Sequence, residues 1–336
     1  MAWQVQMSSS KSAAVSFIIP CFNMERWIEQ AIESCLRQKN IRPDVIVIDD
    51  GSSDRSLEII QRFGGRIRWE SFTENRGVNA ARNRGLSLAT GDFVLFLDAD
   101  DLLAPDIIYW QATLLEDQGG DICYGDWQWL VTNQNGTARF QRNPKKRQRE
   151  DDLTVSLLKD WWCPPFSYLY RKSFILRHKI FWNQNLGFPD DFEYILRVSL
   201  QCPRVVHLPA VTGYYRKHTG KRLSEIAREQ WMKNIVFIYE LAEDELKKQG
   251  RWKEPYVDAV CSGYLNIGRH MFSHDPRYFR QMLDKIHRLK PGFRAARKRY
   301  RWAAKLLGYE QAERLSWFKR RVRGAIESSV TRILRR

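Results

Sequence analysis

Three acidic side chains follow an apolar run at residues 91–101, which read GDFVLFLDADD. Asp98, Asp100 and Asp101 would stand together at the end of a buried strand, where like charges repel unless a positive partner is present. Two carboxylates at this spacing can share one divalent cation with a diphosphate, because Mg²⁺ and Mn²⁺ prefer oxygen ligands. The alternative is a solvated turn or a helix N-cap, which suits Asp101 best. Two carboxylates at this spacing occur often by chance, so they are a weak signal alone. Whether they form a site depends on the elements that position them.

Apolar strands and amphipathic helices alternate around these carboxylates. The predicted strands lie at 15–20, within 44–54, at 66–72, within 91–101 and at 121–131, and the predicted helices at 24–38, 55–63, 77–91 and 105–117. This alternation predicts a doubly wound α/β sheet. Ligands of such sheets bind beyond the carboxyl ends of the strands.

Polar motifs follow three of the predicted strands. The sequence PCFN, with Pro20 and Asn23, ends the first, and DDGSSD, with Asp50, ends the second. A carboxylate there can accept hydrogen bonds from a base or a ribose. In the helix before the third strand, the planar guanidinium of Arg82 suits a phosphate or a base, whereas we assign Arg84 to a solvated helix face. Alone, DDGSSD is better explained by an ordinary strand-to-helix turn, but three polar motifs on one sheet edge indicate a ligand site.

In order, these segments resemble the family 2 glycosyltransferases. The matching blocks are IIPCFN, IDDGSSD, ENRGVNAARNRGLSLATGDFVLFLDADD, CPPFSYLYRKSF, GFPDDFEYILRV and YYRKHTGKRLS. The resemblance implies a GT-A fold, a doubly wound mixed sheet, and transfer that inverts the anomeric centre. We therefore expect an N-terminal tail over 1–13, a GT-A catalytic domain over 14–222 and a mostly helical, basic region over 223–336.

The resemblance also implies the residues of the donor site. Pro20 and Asp50 would contact the nucleotide base, with Arg82 beside it and Asn23 in the same site. We expect a nucleotide-diphosphate sugar as the donor, with UDP as the first expectation and GDP or dTDP open.

Metal and base residues follow from the same resemblance. Asp98 would lie near the ribose and the metal, Asp100 would be the main ligand of Mg²⁺ or Mn²⁺, and His218 would complete the metal site. Asp191 matches the general base, the second acid of a Glu-Asp pair that is Asp190-Asp191 here. The chemistry of sugar transfer agrees with these roles, since a metal neutralises a leaving diphosphate and a carboxylate can take the proton of an acceptor hydroxyl. On the helix DDFEYILRV, we assign Glu193 to an N-cap or solvated charge, whereas Asp190 is open between that role and a functional acid.

The charge is uneven along the 336 residues, whose net charge is +16. Residues 1–130 hold 12 Lys and Arg against 19 Asp and Glu, and the rest hold 43 against 20. A nucleic-acid-binding protein is one alternative, but no binding motif supports it and a nucleic-acid partner is not expected. A nicotinamide dehydrogenase lacks its GxGxxG after the first strand. An inactive scaffold is disfavoured by the retained acidic residues.

The C-terminal segment WFKRRVRGAIESSVTRILRR places apolar residues at near-helical spacing among Arg and Lys. A basic amphipathic helix is typical of contact with an anionic membrane surface, and a helix docked on the protein is the alternative. Six scattered cysteines without a CxxC pair favour reduced thiols. With no signal peptide or spanning segment recognised, we expect a cytoplasmic enzyme at the inner face of the cell membrane. Its acceptor would be a saccharide or lipid-linked, in cell-envelope polysaccharide or glycolipid synthesis.

Overall fold

A computed structural model describes residues 12–132, 138–142, 151–159, 161–217 and 228–333. The chain divides into two compact units. The first comprises Met1–Gln148 and Trp162–Arg228, and the second comprises Arg149–Trp161 and Glu229–Arg336. The expected domain boundary between 222 and 223 stays a prediction.

One mixed sheet forms the frame of the first unit. Its strands in the described residues are β1 (Ala13–Cys21), β2 (Ile41–Asp49), β3 (Arg68–Ser71), β4 (Phe93–Phe96), β5 (Leu102–Leu103), β6 (Ile122–Thr132), β7 (Ala138–Arg142), β8 (Tyr168–Arg171) and β9 (Val205–Lys217). They lie in the order β3-β2-β1-β4-β8-β6-β9-β5, with β7 paired to β6. The first four strands pair in parallel, as do β6 and β9, whereas β8 is antiparallel to both of its neighbours.

Helices cover this sheet. They are α1 (Ile28–Leu36), α2 (Ser56–Gln61), α3 (Val78–Leu88), α4 (Ile107–Asp117), α6 (Lys172–Arg177) and α7 (Asp190–Leu200). In α1 the buried residues Ile28, Ala31, Ile32 and Cys35 fall on one helical face. Because helices shield the central strands, β1 and β4 are apolar on both faces and buried.

An aromatic core fixes α7 and β4 relative to each other. Phe96 of β4 meets Trp182 and Tyr194 edge to face, with ring centroids 5.1 and 5.6 Å apart. Trp182 and Tyr194 stack at 4.1 Å, and both side chains are buried. This packing holds the start of α7 close to the end of β4.

The polar and basic sequence of residues 133–150 predicts a loop, which is wrong for residues 138–142. That segment forms β7, which pairs antiparallel with β6, so that Phe140 lies opposite Leu130. Its polar and basic composition, which favoured a loop, suits an exposed edge strand, where charged side chains are well tolerated. The remaining residues of 133–150 lie outside the described part of the chain.

The second unit is helical. It contains α5 (Leu153–Leu158), α8 (Arg228–Lys248), α9 (Tyr256–Met271), α10 (Pro276–Leu289) and α11 (Lys298–Ile333). The expected helical C-terminal region is therefore confirmed over the described residues. Within α11, Gly308 has φ 78° and ψ 160°, which divides it into two helical segments. Among the described helices, none is both long and apolar enough to cross a bilayer.

Candidate active site

The loops after β1 and β2 are tied together. Buried Asp50 accepts hydrogen bonds from the backbone N–H groups of Arg76 and Gly77, at 2.7 and 2.9 Å. Asn23, in the left-handed region at φ 53°, accepts a 2.8 Å hydrogen bond from the N–H of Ser53. The two expected donor-site residues thus stand on adjoining loops.

Pro20 belongs to the same edge of the sheet. It is the penultimate residue of β1 and pairs in register with Ile48, two residues before Asp50. The structure therefore brings Pro20, Asn23 and Asp50 to the carboxyl ends of two adjacent strands. Their contacts with a nucleotide base stay a prediction.

The turn after β4 holds the three aspartates. Asp101 donates its N–H to the carbonyl of Asp98 at 3.0 Å, which closes a tight turn. Arg216, near the end of β9, donates its Nε–H to the carbonyl of Asp100 at 2.6 Å. The guanidinium of Arg216 also lies 4.0 Å from the ring centroid of Trp27. Strand β9 therefore fixes the conformation of the acidic turn.

The expectation that Asp101 is a solvated turn residue or a helix cap is wrong. Asp101 is fully buried, and its Oδ1 accepts the N–H of Arg216 at 2.8 Å. Burial, followed by the charges of Asp100 and Asp98, raises the pKa of Asp101 well above its ordinary value. This carboxyl group is a structural part of the turn.

Arg82 of α3 is the positive partner of the acidic turn. Its side chain is 4% exposed, and its Nη2 donates to Oδ1 of Asp98 at 2.7 Å. The other arm of the guanidinium, Nη1, donates to Oδ2 of Asp190 at 2.5 Å. The guanidinium carbon lies 4.1 Å from the ring centroid of Trp182. Arg82 thus links the acidic turn to the start of α7, and its expected place beside a nucleotide base stays a prediction.

Asp191 is the second residue of α7. Its Oδ2 accepts a 2.8 Å hydrogen bond from Nε1–H of Trp162, and its Oδ1 accepts the N–H of Phe192 at 2.7 Å. Burial, followed by the charge of Asp190, raises the pKa of Asp191 to about 7 from the ordinary 3.8. A carboxylate with such a pKa is suited to take a proton near neutral pH.

The solvated position expected for Glu193 is wrong. Its side chain is 2% exposed and accepts a 2.6 Å hydrogen bond from Nε of Arg197, one turn later in α7. The sequence could not show this, since an acidic residue in the first turn of a helix is equally compatible with solvent.

Two of the three expected metal ligands, Asp98 and Asp100, lie within the described residues. No group of three or more His, Cys, Asp or Glu among them is arranged to hold a metal ion. Asp98 and Asp100 still offer carboxylate oxygens from one turn, and Mg²⁺ often uses one or two protein carboxylates together with substrate phosphates. The residues present fit a cation that arrives with a diphosphate. His218 lies outside the described residues.

Two side chains of the candidate site are not among the residues that the sequence predicts for it. The sequence is equally compatible with an N-cap and with a functional acid at Asp190, and the structure pairs this carboxylate with Arg82. The sequence WWCPP at 161–165 makes Trp162 equally compatible with packing and with stacking on a sugar ring, but it does not indicate the hydrogen bond from Trp162 to Asp191.

The chain is similar to known proteins in both sequence and structure. A sequence profile described as glycosyl transferase family 2 matches residues 16–184, which is half of the chain. EpsJ of Bacillus subtilis, an uncharacterized glycosyltransferase, is 27% identical over 268 residues, covering 75% of this chain and 74% of EpsJ. The poly(ribitol-phosphate) beta-N-acetylglucosaminyltransferase TarS of Staphylococcus aureus is 24% identical over 262 residues. That match covers 75% of this chain but only 43% of TarS.

Two solved structures share the fold. A crystal structure of a TarS fragment in complex with UDP-GlcNAc matches with a TM-score of 0.67 at 18% identity, covering 90% of each chain. The mannosyltransferase PcManGT from Pyrobaculum calidifontis, in complex with GDP-Man and Mn²⁺, matches with a TM-score of 0.52 at 17% identity. That alignment covers 94% of this chain and 90% of PcManGT. The expected GT-A architecture with a helical C-terminal region is confirmed.

Proposed function

Because the chain belongs to glycosyl transferase family 2, we propose that it moves a sugar from a nucleotide-diphosphate sugar to an acceptor hydroxyl with inversion. The donor we propose is a UDP-sugar, since TarS was crystallised with UDP-GlcNAc. The proposed acceptor is a saccharide or lipid-linked molecule of the cell envelope, since TarS is described as acting on poly(ribitol-phosphate).

The proposed reaction assigns a proton and a leaving group to separate residues. The acceptor hydroxyl oxygen attacks the anomeric carbon and gives its proton to Oδ1 or Oδ2 of Asp191. The bond from the anomeric carbon to the diphosphate oxygen breaks, and the nucleoside diphosphate leaves with that electron pair. Attack from the face opposite the leaving group inverts the anomeric centre.

Donor binding is assigned to the strand ends. Pro20, Asn23 and Asp50 would hold the nucleoside, while Asp98 and Asp100 would hold Mg²⁺ or Mn²⁺ with the diphosphate. Such a cation would neutralise the charge that develops on the leaving group. The Mn²⁺ in the PcManGT complex supports this cofactor class. We keep His218 as a third proposed ligand by its position in the sequence.

One observation carries the proposal. Asp191, whose pKa is raised to about 7, is joined through Asp190 and Arg82 to Asp98 of the acidic turn. A base and a diphosphate-binding turn held at a fixed separation are what a direct displacement at one carbon requires. A scaffold has no need of a buried carboxyl group poised to titrate near neutral pH.

The test begins with ligand binding. Thermal shift with UDP-, GDP- and dTDP-sugars, with and without Mn²⁺ or Mg²⁺, should show metal-dependent stabilisation by one nucleotide class. Calorimetry with that ligand should show weaker binding to Asp100→Ala and unchanged binding to Asp191→Asn. Nucleotide release should fall at least ~100-fold in Asp191→Asn, because general-base catalysis contributes about 10²–10⁴-fold.

Asp117→Asn is the matched control, since this aspartate is exposed at the end of α4. It should bind and turn over the donor like the wild type. A folded wild-type protein that binds none of these nucleotides would refute the transferase proposal. Full activity of Asp191→Asn would refute the assignment of the base.

We also propose that α11 contacts an anionic membrane surface from the cytoplasmic side. Five large apolar side chains of α11 are between 49% and 68% exposed: Trp302, Leu306, Leu307, Leu315 and Phe318. From residue 294 to the end the chain carries fourteen Lys and Arg against three Asp and Glu. Exposed apolar residues among basic ones suit an interface with anionic lipids. Such contact would bring the enzyme to a lipid-linked acceptor.

A further inference from the structure

Four aromatic rings of the first unit form a connected group, here called the aromatic wall: Trp127, Trp129, Trp162 and Tyr215. Ring centroids of contacting pairs lie between 4.9 and 5.7 Å apart. Trp127 and Trp129 come from β6 and Tyr215 from β9, where Trp129 pairs in register with Tyr215 and Trp127 with Gly213. Side chains two residues apart on a strand share a face. The wall is therefore one face of the β6–β9 pair, completed by Trp162.

The aromatic wall stands beside the reactive carboxylates. Trp162 donates its Nε1–H to Asp191 at 2.8 Å. Burial, followed by the charges of Asp101, Asp98, Asp191 and Asp100, raises the pKa of Tyr215. One ring thus contacts the proposed base, while another lies within electrostatic reach of both the base and the acidic turn. A ligand resting on the wall would be held next to both.

Exposure distinguishes this group from the aromatic core. In the core, Trp182 and Tyr194 are buried and stack face to face, with an interplanar angle of 5°. In the wall, Trp127 is buried, whereas Trp129, Trp162 and Tyr215 are only half-buried. Its ring pairs meet at interplanar angles from 60° to 82°, so that none of them is stacked. Rings that keep access to solvent beside a catalytic base are available to a ligand.

We propose that the aromatic wall is the acceptor subsite, where a pyranose ring of a saccharide stacks and presents a hydroxyl group to Asp191. The inference rests on the proposed function and names the class of its acceptor. One face of a pyranose ring exposes mainly C–H groups, which suit an aromatic surface, and a few polar groups then fix its orientation. Trp162 serves both needs, because it lines the wall and holds the base in place.

The test uses saccharide probes and saturation-transfer NMR. The probes are the methyl β-glycosides of glucose, galactose and N-acetylglucosamine, added to protein saturated with UDP and Mn²⁺. We expect saturation transfer from the wild type to the ring C–H protons of at least one probe. Trp129→Ala should weaken that binding at least about fivefold, the effect of losing roughly 1 kcal/mol of aromatic contact.

Trp110→Ala is the matched control, since Trp110 of α4 is 39% exposed and stands outside the wall. It should bind the probes and UDP like the wild type. Trp129→Leu repeats the test with a bulkier apolar side chain and is also expected to weaken probe binding. Equal probe binding by both Trp129 variants, or no transfer to any probe from a wild type that binds UDP, would overturn the subsite. Failure of the wild type to bind any nucleotide would instead refute the proposed function.

Trp162→Phe separates stacking from positioning. It keeps an aromatic ring but removes the N–H donor that stabilises ionised Asp191, so the pKa of this carboxyl group should rise. Probe binding should stay within about twofold of wild type, while the acid limb of the pH profile of nucleotide release moves to higher pH. The other groups that influence or face Asp191 are the same in both proteins: Asp190, Arg82, Tyr168, Tyr170 and Tyr215. An unmoved profile would contradict the role of the Trp162 hydrogen bond.

Discussion

Asp190 and Asp191 begin the same helix but have different surroundings. Asp190 is neutralised by the buried guanidinium of Arg82, at 2.5 Å. Asp191 instead accepts two neutral donors, Trp162 and the N–H of Phe192. Burial, followed by the charge of Asp190, raises the pKa of Asp191 to about 7, so that Asp191 can exchange a proton near neutral pH. Two adjacent residues of one type thereby take different roles.

Replacing Asp191 should change the pH dependence of stability. Its pKa is about 7 in the folded chain against an ordinary 3.8, so the folded state binds the proton more tightly than the unfolded state. The free energy of unfolding that this group controls therefore falls as pH rises from about 4 to about 7. Asp191→Asn removes this pH dependence, and its stability relative to wild type should grow by roughly 2–3 kcal/mol between pH 5 and pH 8. Urea denaturation at both pH values measures this, and a flat difference would mean that Asp191 is already ionised at pH 5.

Arg82 should be far more important to stability than its neighbour Arg84. Arg82→Met leaves Asp98 and Asp190 without their buried cation, which should cost about 3–5 kcal/mol. Arg84 lies two residues further along α3 and pairs with Glu70 at 2.6 Å, but the two side chains are 45% and 38% exposed. Arg84→Met should therefore cost at most about 1 kcal/mol. Chemical denaturation of the two variants compares them directly, and similar losses would contradict the buried link.

At the scale of elements, α3 can place Arg82 only because it packs closely on β1. Gly85, one turn after Arg82, faces Ile18 of β1. A Cβ at position 85 would lie well inside 3.0 Å of Cγ2 of Ile18, a branched side chain with little freedom at its Cβ. The helix would have to move away from the sheet. The absence of a side chain at position 85 thus lets α3 lie close to β1, which sets the position of Arg82.

Gly85→Ala should destabilise the protein by about 1–3 kcal/mol, the usual cost of overpacking. It should also weaken nucleotide binding, since Arg82 would move relative to Asp98. Gly65→Ala is the control, because no atom lies within 4 Å of a Cβ built there. Thermal denaturation and UDP calorimetry on both variants test this, and a stable Gly85→Ala protein with full UDP affinity would disprove the tight packing.

Elements with periodic apolar residues were predictable from the sequence. Apart from the two-residue strand β5, which was not predicted, the strands and helices between residues 15 and 131 lie where the apolar runs placed them. Helix ends are shifted by a few residues, as in α1 at Ile28–Leu36 against the predicted 24–38. Strand β7 was missed, because an edge strand need not be apolar. Helix α5 was also missed, since its six residues are too few to show a period.

The candidate site was predictable in its composition but not in its pairing. Asp98, Asp100 and Asp191 stand out by motif, whereas the link from Arg82 to Asp190 joins residues 108 positions apart. An arginine on a helix has the same local sequence whether it points to solvent or to a buried acid. Only the packing of α3 and α7 on the sheet decides between the two.

At the scale of the whole molecule, charge and apolar exposure coincide in α11. Arg314 and Lys319 are exposed beside Leu315 and Phe318. In the preceding segment, Trp302 is on the face opposite buried Tyr300 and Ala304, since two residues turn an α-helix by about 200°. Both segments therefore offer apolar side chains to the outside.

Vesicle binding should report on this surface. The full chain should co-sediment with vesicles containing phosphatidylglycerol and less with pure phosphatidylcholine, and salt should weaken the binding. Trp302→Ser with Phe318→Ser should reduce the bound fraction severalfold and leave UDP binding unchanged, since burying these rings contributes about 1.5–3 kcal/mol each. Trp69→Ser, an exposed ring on β3, is the control. Equal sedimentation with both lipids, or no effect of the double substitution, would refute membrane contact by α11.

The segment Arg149–Trp161 belongs with the C-terminal helices, although Trp162 belongs with the sheet. Its helix α5 buries Leu153, Val155, Leu157 and Leu158, and the hydroxyl of Tyr239 in α8 donates to the carbonyl of Leu158 at 2.9 Å. During synthesis, α5 leaves the ribosome well before α8 exists. A chain cut after Arg228 would carry an apolar helix without its partners, directly before the tryptophan that holds Asp191. We therefore expect such a truncation to aggregate, and a shortened enzyme to require α5 redesigned with polar residues.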